Sequence, residues 1–335
     1  MSHLARRLTL AVALLAITAA VTGCGAGDAH PTVRHVTVVL DWTPNTNHAG
    51  VYVAKQRGLY AEHGLAVDIV EPDLAGGLPQ LASGRAQFAF SYAEQLLPLR
   101  AQGASVLSIA TVLPTNTSAL IAPTDRGIRR PRDLEGKTYG TYGGAIERPI
   151  IEQLVRCDGG DPKKVAFLDV GNADYRAGFA KHAYDVIWAF AGWDLIRLRD
   201  IDGLHVTSIP FEDHLDCIPD WYTPLIATTA ALTRDDPDLV RDFLAATAAG
   251  YELANSDPAL AAQAIAAAVP EADPRLLAAS ARFLAGRYVA DGQRWGVQDP
   301  AIWSTFDSFL RRSRIVTGGS AVRDAYTNAF LPATP

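Results

Sequence analysis

Residues 36–57 read Val-Thr-Val-Val-Leu-Asp-Trp-Thr-Pro-Asn-Thr-Asn-His-Ala-Gly-Val-Tyr-Val-Ala-Lys-Gln-Arg. The β-branched run at its start predicts a strand over 36–40, and the apolar spacing from Asn47 onward predicts a helix that ends at Gly58. Trp42 lies in the loop between them, directly after the strand. Ligands bind at the carboxyl ends of strands in open α/β sheets. The stretch therefore predicts a strand, a binding loop and a helix.

Strand and helix patterns alternate along most of the remaining chain. Strand patterns lie at 66–70, 87–90, 106–111, 137–141, 165–168 and 185–189, and helix patterns lie at 78–83, 93–102, 146–156 and 173–182. From about Asp235 the chain is rich in Ala and Leu, with Asp-Pro pairs that start at 236, 257, 273 and 299. Each pair is a helix-start signal. The pattern predicts an α/β fold with largely parallel sheets, followed by a mostly helical C-terminal third.

Length and charge exclude several classes of protein. The chain has 335 residues, 49% of them hydrophobic and 20% charged, with a formal net charge of -6. This length exceeds what one hydrophobic core usually supports, so we expect two packed domains. The composition is that of a globular protein, not of a disordered or collagenous one. An excess of acidic residues argues against a nucleic-acid partner.

The first 23 residues have the layout of an export signal. A basic start containing Arg6 and Arg7 precedes an apolar run that is too short to span a bilayer. Val21-Thr22-Gly23-Cys24 resembles the lipobox of bacterial lipoproteins, which predicts a lipid on Cys24. An ordinary secretory signal followed by an incidental cysteine is the alternative. We therefore expect a signal peptide at 1–23, a lipidated tether at 24–32, and a mature protein anchored to the outer face of the cytoplasmic membrane.

Two cysteines remain after Cys24. An exported protein can join Cys157 and Cys217 as a disulfide, because disulfides persist in oxidising compartments. The sequence does not determine the distance between them, so this pairing stays open at the level of sequence.

Polar and aromatic residues follow further predicted strands. They lie in Ser91–Gln95, Tyr139–Glu147, Trp188–Asp194 and Asp220–Pro224. The glycines of the second segment allow backbone N–H groups to approach a ligand at a helix N-terminus. Structural alternatives exist for the single residues: Trp42 as an interface aromatic, His48 as a helix-end residue satisfied by the backbone, and Glu94 as an acid favoured by the helix dipole.

The chain lacks the common catalytic motifs. It contains no G-x-S-x-G elbow, P-loop, H-E-x-x-H or C-x-x-C, and its eight histidines are dispersed. Aromatic faces combined with carboxylates instead suit a flat, nitrogen-rich ring: the faces stack on it and a carboxylate accepts hydrogen bonds from an exocyclic amine. An anionic ligand requires arginine or helix N-termini, whereas the strand-end loops show carboxylates, with Arg148 as the exception.

The stretch Val38–Ala54 resembles the signature of the thiamine-pyrimidine-precursor (thiamine pyrimidine synthase-like) solute-binding family of ABC importers. The resemblance continues through Leu81–Gly84, Ser91–Gln95, Asn116–Ser118, the Gly143–Glu147 turn and Trp188–Asp194. It implies a two-lobed type II periplasmic-binding-protein fold with a hinge and mixed, mostly parallel sheets. We expect residues 33–122 plus 225–335 to form a discontinuous first lobe and 123–224 an inserted second lobe, with hinges near Ala122-Pro123 and Tyr222–Pro224.

The resemblance also implies a ligand site. Its aromatic sandwich and amine-binding acids map onto Trp42, Tyr92, Glu94, Glu147, Trp188 and Asp194. The full set of expected ligand-binding residues is Asp41, Trp42, Asn45, His48, Tyr92, Glu94, Asn116, Thr117, Gly143, Gly144, Glu147, Trp188, Phe190, Trp193, Asp194 and Tyr222.

The function implied is that of an extracytoplasmic receptor. Such a lipoprotein binds a thiamine pyrimidine precursor between its lobes and delivers it to an ABC permease with a cytoplasmic ATPase. We expect a monomer without catalytic residues, cofactor or metal. The alternatives are a pyrimidine-synthase-like enzyme of thiamine biosynthesis, and the same receptor fold for a riboflavin-like heterocycle or a nitrate- or sulfonate-type anion. The fungal synthase branch uses a Cys-rich motif that this chain lacks.

Overall fold

The structure of the chain is a computed structural model that describes residues 33–73, 76–171, 175–290, 292–317 and 322–333. The predicted signal peptide at 1–23, the lipidation at Cys24 and the tether at 24–32 lie outside the described residues.

Ten strands of the described residues form two five-stranded sheets. The strands are β1 Arg34–Val39, β2 Leu65–Val70, β3 Phe88–Ser91, β4 Val106–Thr111, β5 Ser118–Pro123, β6 Thr138–Thr141, β7 Ala166–Asp169, β8 Val186–Phe190, β9 Val206–Pro210 and β10 Leu225–Thr229. The first sheet has the order β2-β1-β3-β10-β4, and the second has the order β7-β6-β8-β5-β9. The α/β class with mixed sheets is therefore confirmed.

Parallel pairs do not form the majority that the sequence predicted. Each sheet contains two parallel and two antiparallel pairs. The difference comes from β5 and β10, which each lie between two other strands and run antiparallel to both. The sequence patterns did not predict β5 or β10, and they did not predict β9.

The positions of β5 and β10 also revise the predicted hinge. β5 pairs with β8 and β9, so the chain passes from the first sheet to the second within residues 112–117. Ala122-Pro123 lies at the far end of β5, inside the second sheet, and is not the crossing. The return crossing precedes β10 and contains Tyr222–Pro224. We propose that each lobe contains one of the two sheets. In this proposal the chain first crosses between the lobes within residues 112–117 and not at Ala122-Pro123.

Eleven α-helices of the described residues connect and cover the strands. They are α1 Ala49–Gln56, α2 Leu59–Glu62, α3 Gly77–Ala82, α4 Ala93–Ala101, α5 Glu147–Cys157, α6 Tyr175–Ala180, α7 Ala230–Asp235, α8 Pro237–Ser256, α9 Pro258–Ala268, α10 Pro274–Leu284 and α11 Pro300–Arg312. The four Asp-Pro predictions are confirmed: each aspartate accepts hydrogen bonds from backbone N–H groups of the first turn, and each proline occupies its start. The C-terminal third is mostly helical, as predicted.

Helices α1 and α8 pack together at two glycines. A Cβ on Gly250 would lie 2.1 Å from the carbonyl oxygen of Gly50, and a Cβ on Gly50 would lie 2.2 Å from the ring of Tyr251. The hydroxyl of Tyr251 donates to the carbonyl of Asn47 at 2.7 Å, and that of Tyr288 donates to the carbonyl of Thr46 at 2.6 Å. Tyr251 of α8 and Tyr288, which follows α10, therefore hold the loop that follows β1.

A disulfide joins Cys157, at the end of α5, to Cys217, in the segment that returns from β9. Their sequence separation is 60 residues, so the bond closes a long loop of the region that contains the second sheet. In the part of the chain that the structure describes, no helix is long and apolar enough to cross a membrane.

Candidate functional site

A cavity of about 360 Å³ lies where loops from both sheets meet. Its size is near the lower end of the roughly 300–1,000 Å³ that is typical of ligand pockets. Eleven of the predicted residues line it: Asp41, Trp42, Asn45, Tyr92, Glu94, Gly144, Glu147, Trp188, Phe190, Trp193 and Asp194. The strand-end loops of the sequence prediction therefore converge on one space.

Nine further lining residues were not among the predicted ligand-binding set. They are Asn47, Gln95, Ser118, Tyr142, Ala145, Ile146, Tyr175, Ala189 and Thr223. All except Tyr175 lie within segments that the sequence had already identified as candidate binding segments. Their position in these segments could therefore have been used to predict them. Tyr175 begins α6 and has no such signal. It reaches the cavity because its ring packs against that of Tyr142, and the two hydroxyls are hydrogen-bonded.

His48 was predicted to bind ligand, but it lies behind the lining. The side chain is fully buried. Its Nδ1 accepts a hydrogen bond from the backbone N–H of Asn45 at 3.1 Å, which leaves Nε2 to donate to Asp41 Oδ1 at 2.5 Å. His48 thus orients Asp41 and closes the turn. The alternative of a helix-end residue satisfied by the backbone describes one of its two hydrogen bonds, the one from Asn45.

Four other predicted residues support the cavity without lining it. The side-chain oxygen of Asn116 accepts from the backbone N–H of Ser118, and the carbonyl of Thr117 accepts from that of Ala191. The hydroxyl of Tyr222 accepts from the backbone N–H of Asp299 at 2.6 Å. Gly143 has a φ of 84° and forms the turn before α5. These residues fix the backbone of the loops around the cavity.

Glu147 lines the cavity, but its carboxylate is already engaged. One oxygen accepts from the Tyr139 hydroxyl at 2.7 Å and from the Tyr142 N–H at 3.2 Å, and the other accepts from the Gly144 N–H at 2.7 Å. The side chain therefore holds the glycine turn in place. It is poorly suited to the amine-binding role that the resemblance implied.

Asp41 carries a negative charge into the cavity. Burial by itself raises the pKa of this carboxyl, but the facing His48 and a hydrogen bond from Tyr92 outweigh burial and hold the pKa below its ordinary value. Both effects stabilise the ionised form, so Asp41 is a carboxylate at neutral pH.

Glu94 and Asp194 behave in the opposite way. Burial raises the pKa of Glu94 to about 8, although its own backbone and the nearby Trp221 indole lower it somewhat. Burial raises the pKa of Asp194 to about 6, even though Asp194 accepts a hydrogen bond from the Phe190 N–H at 3.0 Å. Glu94 Oε2 is buried and has no hydrogen-bond partner among the described residues. Glu94 is thus an acid with an oxygen that makes no hydrogen bond within the described residues, although the Trp221 indole lies near this carboxyl.

Aromatic faces complete the lining. Trp42 is 41% exposed although it is one of the largest apolar side chains, and it borders the cavity. Trp188 is almost fully buried by edge contacts with Phe211 and Trp221, and its carbonyl accepts from the Tyr142 hydroxyl at 3.1 Å. One wall of the cavity is therefore rigid, while Trp42 retains an open face.

The lining is acidic. Four carboxyl side chains and no Arg, Lys or His appear among its described residues. Arg148, which the sequence offered as a cation near the glycine turn, instead stacks over the Phe167 ring at 3.8 Å and pairs with Glu152. The described residues contain no cluster of three or more metal-ligating side chains. The arrangement accepts hydrogen bonds from amines and disfavours anions.

The raised pKa of Glu94 predicts that the unliganded protein loses stability between about pH 4.5 and pH 8. Over this range the folded protein keeps a proton on Glu94 that the unfolded chain has released, so the free energy of unfolding falls as pH rises and levels off above pH 8. Glu94→Gln removes this term, so the melting temperature of the variant minus that of wild type should grow from pH 5 to pH 8. Thermal unfolding across this range measures it.

Glu62→Gln, on the surface helix α2, is the matched control and should show no such trend. A constant difference between Glu94→Gln and wild type at every pH would contradict the raised pKa.

Sequence comparisons show which known proteins this chain is similar to. A family model described as "NMT1/THI5 like" matches residues 45–261. The chain is 29% identical to the formylaminopyrimidine-binding protein of Halalkalibacterium halodurans over 76% of each chain. It is 25% identical to the 4-amino-5-hydroxymethyl-2-methylpyrimidine phosphate synthase of Legionella pneumophila, over 90% of this chain and 93% of that one.

Solved structures support the fold. The periplasmic aliphatic sulphonate binding protein of Escherichia coli superimposes with a TM-score of 0.68 at 13% identity, covering 87% of this chain and 91% of that one. At this identity the likeness concerns the fold alone, which is that of a periplasmic binding protein.

Proposed function

Since the chain belongs to the NMT1/THI5-like family, we propose that it is an extracytoplasmic receptor that binds an aminopyrimidine precursor of thiamine and delivers it to an ABC importer. In this proposal the protein is not an enzyme, and it is held at the outer face of the cytoplasmic membrane by a lipid on Cys24. Its partners are a membrane permease and the cytoplasmic ATPase of that permease.

The observation that carries the proposal is the lining of the cavity. Aromatic faces and carboxyl groups surround it, and no basic side chain appears among the described lining residues. An aminopyrimidine presents a flat ring for stacking and an amine for a carboxyl acceptor. A sulfonate or nitrate would meet acids without a compensating cation, which argues against the anion alternative. The volume of about 360 Å³ accommodates either one ring or the larger ring system of riboflavin, so a binding titration separates these two ligands.

Glu94 is the group that we assign to the amine edge of the ring. Its Oε2 lacks a partner, whereas Glu147 is saturated, Asp41 is engaged by His48, and Asp194 accepts from the Phe190 N–H. Because its pKa is about 8, its carboxyl carries a proton at neutral pH. A neutral carboxyl both donates and accepts. It therefore matches an exocyclic amine and the adjacent ring nitrogen at the same time, through two parallel hydrogen bonds.

A pyrimidine synthase remains the second candidate, on the strength of the similarity to the Legionella pneumophila protein. The described lining residues include no lysine, the side chain that enzymes use to bind pyridoxal phosphate as a Schiff base. Reversible binding without formation of a product favours the receptor, and turnover of a bound precursor favours the enzyme.

The experiment that tests the proposal is a calorimetric titration of the chain without residues 1–24, after unfolding and refolding to remove carried-over ligand. The titrants are 4-amino-5-hydroxymethyl-2-methylpyrimidine, its formylaminomethyl analogue, thiamine and riboflavin. Tight, stoichiometric binding of either aminopyrimidine is the expected result. Binding of riboflavin alone, or of none of the four, would contradict the proposed ligand.

Replacing Trp42 by alanine should weaken aminopyrimidine binding at least about tenfold. The open face of this indole is available to stack on the ring, and one lost stacking contact costs about 1–3 kcal/mol. The same titration measures the change. Trp42→Phe, which keeps an aromatic face, should retain most of the affinity, and Leu253→Ala, at an exposed apolar residue of α8, should retain all of it. Equal affinity of Trp42→Ala and wild type would remove Trp42 from the site.

A further inference from the structure

We propose that the hydroxyls of Ser118 and Thr223 form a second polar subsite in the cavity, which binds the hydrogen-bonding substituent on the ligand's ring and selects among aminopyrimidines. This inference rests on the proposed function and adds to it the residues that determine specificity. Neither residue was predicted from the sequence as a ligand-binding residue.

Both hydroxyls are buried without a partner. Ser118 and Thr223 are each only 1% exposed, and both line the cavity. Neither side-chain oxygen has a hydrogen-bond partner among the described residues. A buried hydroxyl without a partner is destabilising, because it has lost its hydrogen bonds to water. Because both residues also line the cavity, a ligand group there is the partner that we infer for them.

The two residues lie at the two crossings between the sheets, Ser118 directly after the first and Thr223 within the second. Ser118 is the first residue of β5, and Thr223 shortly precedes β10. The crossings are tied together by Asp220, whose Oδ1 accepts from the Asn116 N–H at 3.1 Å and from the Trp221 N–H at 2.8 Å. The backbone is thus fixed while the hydroxyls stay free. A subsite with a fixed backbone loses little conformational entropy when a ligand binds.

The subsite adjoins the acid that we assign to the amine. The carbonyl of Tyr222 accepts a hydrogen bond from the Ala93 N–H at 3.0 Å, which places Thr223 beside the start of α4 and Glu94. On the other side, Ser118 pairs in register with Phe190, whose N–H donates to Asp194. Thr223 and Ser118 therefore lie in segments next to those of Glu94 and Asp194, and we treat these four side chains as one polar wall of the cavity.

The chemistry of this wall identifies the substituent. A hydroxyl donates one hydrogen bond and accepts others, so a pair of hydroxyls matches a group that does both, such as an alcohol or a formamide. When Glu94 holds the exocyclic amine, the substituent on the neighbouring ring carbon is the one next to the hydroxyls. A ligand with a methyl group there would leave both hydroxyls unpaired. Sites of this kind reject such analogues strongly.

The test compares two ligands that differ only in this group, 4-amino-5-hydroxymethyl-2-methylpyrimidine and 4-amino-2,5-dimethylpyrimidine. Calorimetry gives the ratio of their dissociation constants for wild type, Ser118→Ala, Thr223→Val and the double variant. Wild type should prefer the hydroxymethyl compound by at least about 30-fold. Each single variant should lower this preference several-fold, and the double variant should bind both compounds about equally, while affinity for the dimethyl compound stays near that of wild type.

Two further variants separate specificity from folding. Ser108→Ala removes a buried hydroxyl of β4 outside the cavity and should keep the wild-type ratio. Thr223→Ser retains the hydroxyl and should also keep the wild-type ratio. If Thr223→Val does not fold, Ser118→Ala still decides the question. An unchanged ratio in Ser118→Ala, with aminopyrimidines still bound, would overturn this inference and leave the proposed function standing. Binding of neither compound by wild type would overturn both.

Discussion

Replacing Glu94 by leucine is expected to lower the affinity for 4-amino-5-hydroxymethyl-2-methylpyrimidine about 100-fold at pH 7. The change removes two hydrogen bonds to the ring edge and leaves the amine buried without an acceptor, which together cost roughly 2–4 kcal/mol. Leucine also removes the cost of burying a carboxyl whose Oε2 has no hydrogen-bond partner. The unliganded variant should therefore be at least as stable as wild type. Calorimetric titration and thermal unfolding measure the two effects.

Glutamine at position 94 is the informative companion. Its amide donates and accepts in nearly the same places as a neutral carboxyl, so Glu94→Gln should lose less than about tenfold in affinity at pH 7. Above pH 8 wild type should lose about tenfold per pH unit, because deprotonation of Glu94 removes the donor to the ring nitrogen. The glutamine variant should show no such loss.

The pattern of results distinguishes two modes of binding. A large loss in Glu94→Gln combined with a flat pH profile of wild type would show that the ionised carboxylate binds the ligand, against the neutral carboxyl that we infer. Full affinity in Glu94→Leu would place the amine elsewhere in the cavity. Glu62→Gln, on the surface, is expected to match wild type in each measurement.

Replacing Gly250 by alanine should destabilise the protein by about 2 kcal/mol and lower its melting temperature by roughly 3–5 °C. Alanine favours a helix over glycine by about 1 kcal/mol, so the packing cost must exceed this gain. It does so because the new Cβ would lie 2.1 Å from the Gly50 carbonyl oxygen and 3.0 Å from the Ala54 N, both backbone atoms that move only with α1. Thermal unfolding measures the change.

The displacement of α1 in Gly250→Ala should also affect ligand binding. A shift of α1 displaces the loop that ends at His48, which orients Asp41 and precedes this helix directly. Ala249→Ser adds one heavy atom at the neighbouring, less buried position of α8 and serves as the matched control, with a change below about 0.5 kcal/mol. If Gly250→Ala melts at or above the wild-type temperature, the close approach of α1 and α8 is not what holds this region.

Local features of the fold could be predicted from the sequence. Each of the seven predicted strands has a counterpart in the structure, and the four Asp-Pro pairs begin helices where we expected them. A cap, a strand run or a strand-end loop is determined by residues a few positions apart. Trp42 became a candidate for the same reason, since it lies in the loop that follows a strand, whereas the ligand-binding role of Glu94 was implied by the family resemblance.

Features that depend on distant partners were decided by the tertiary structure. β5 and β10 are buried between strands that are remote in sequence, and this pairing determines where the chain crosses between the sheets. Glu147 resembles a ligand-binding acid in sequence, but Tyr139 and the backbone of the glycine turn occupy its oxygens. His48 likewise lies behind the lining.

The same reasoning explains the unpaired hydroxyls of Ser118 and Thr223. The sequence by itself determined the family resemblance, the alternation of strands and helices, and the acidic and aromatic loops at strand ends, because these are properties of neighbouring residues. Whether a polar side chain finds a partner depends on what the fold brings to it from elsewhere in the chain. The tertiary structure therefore decided which acids and hydroxyls support the cavity and which remain available to a ligand.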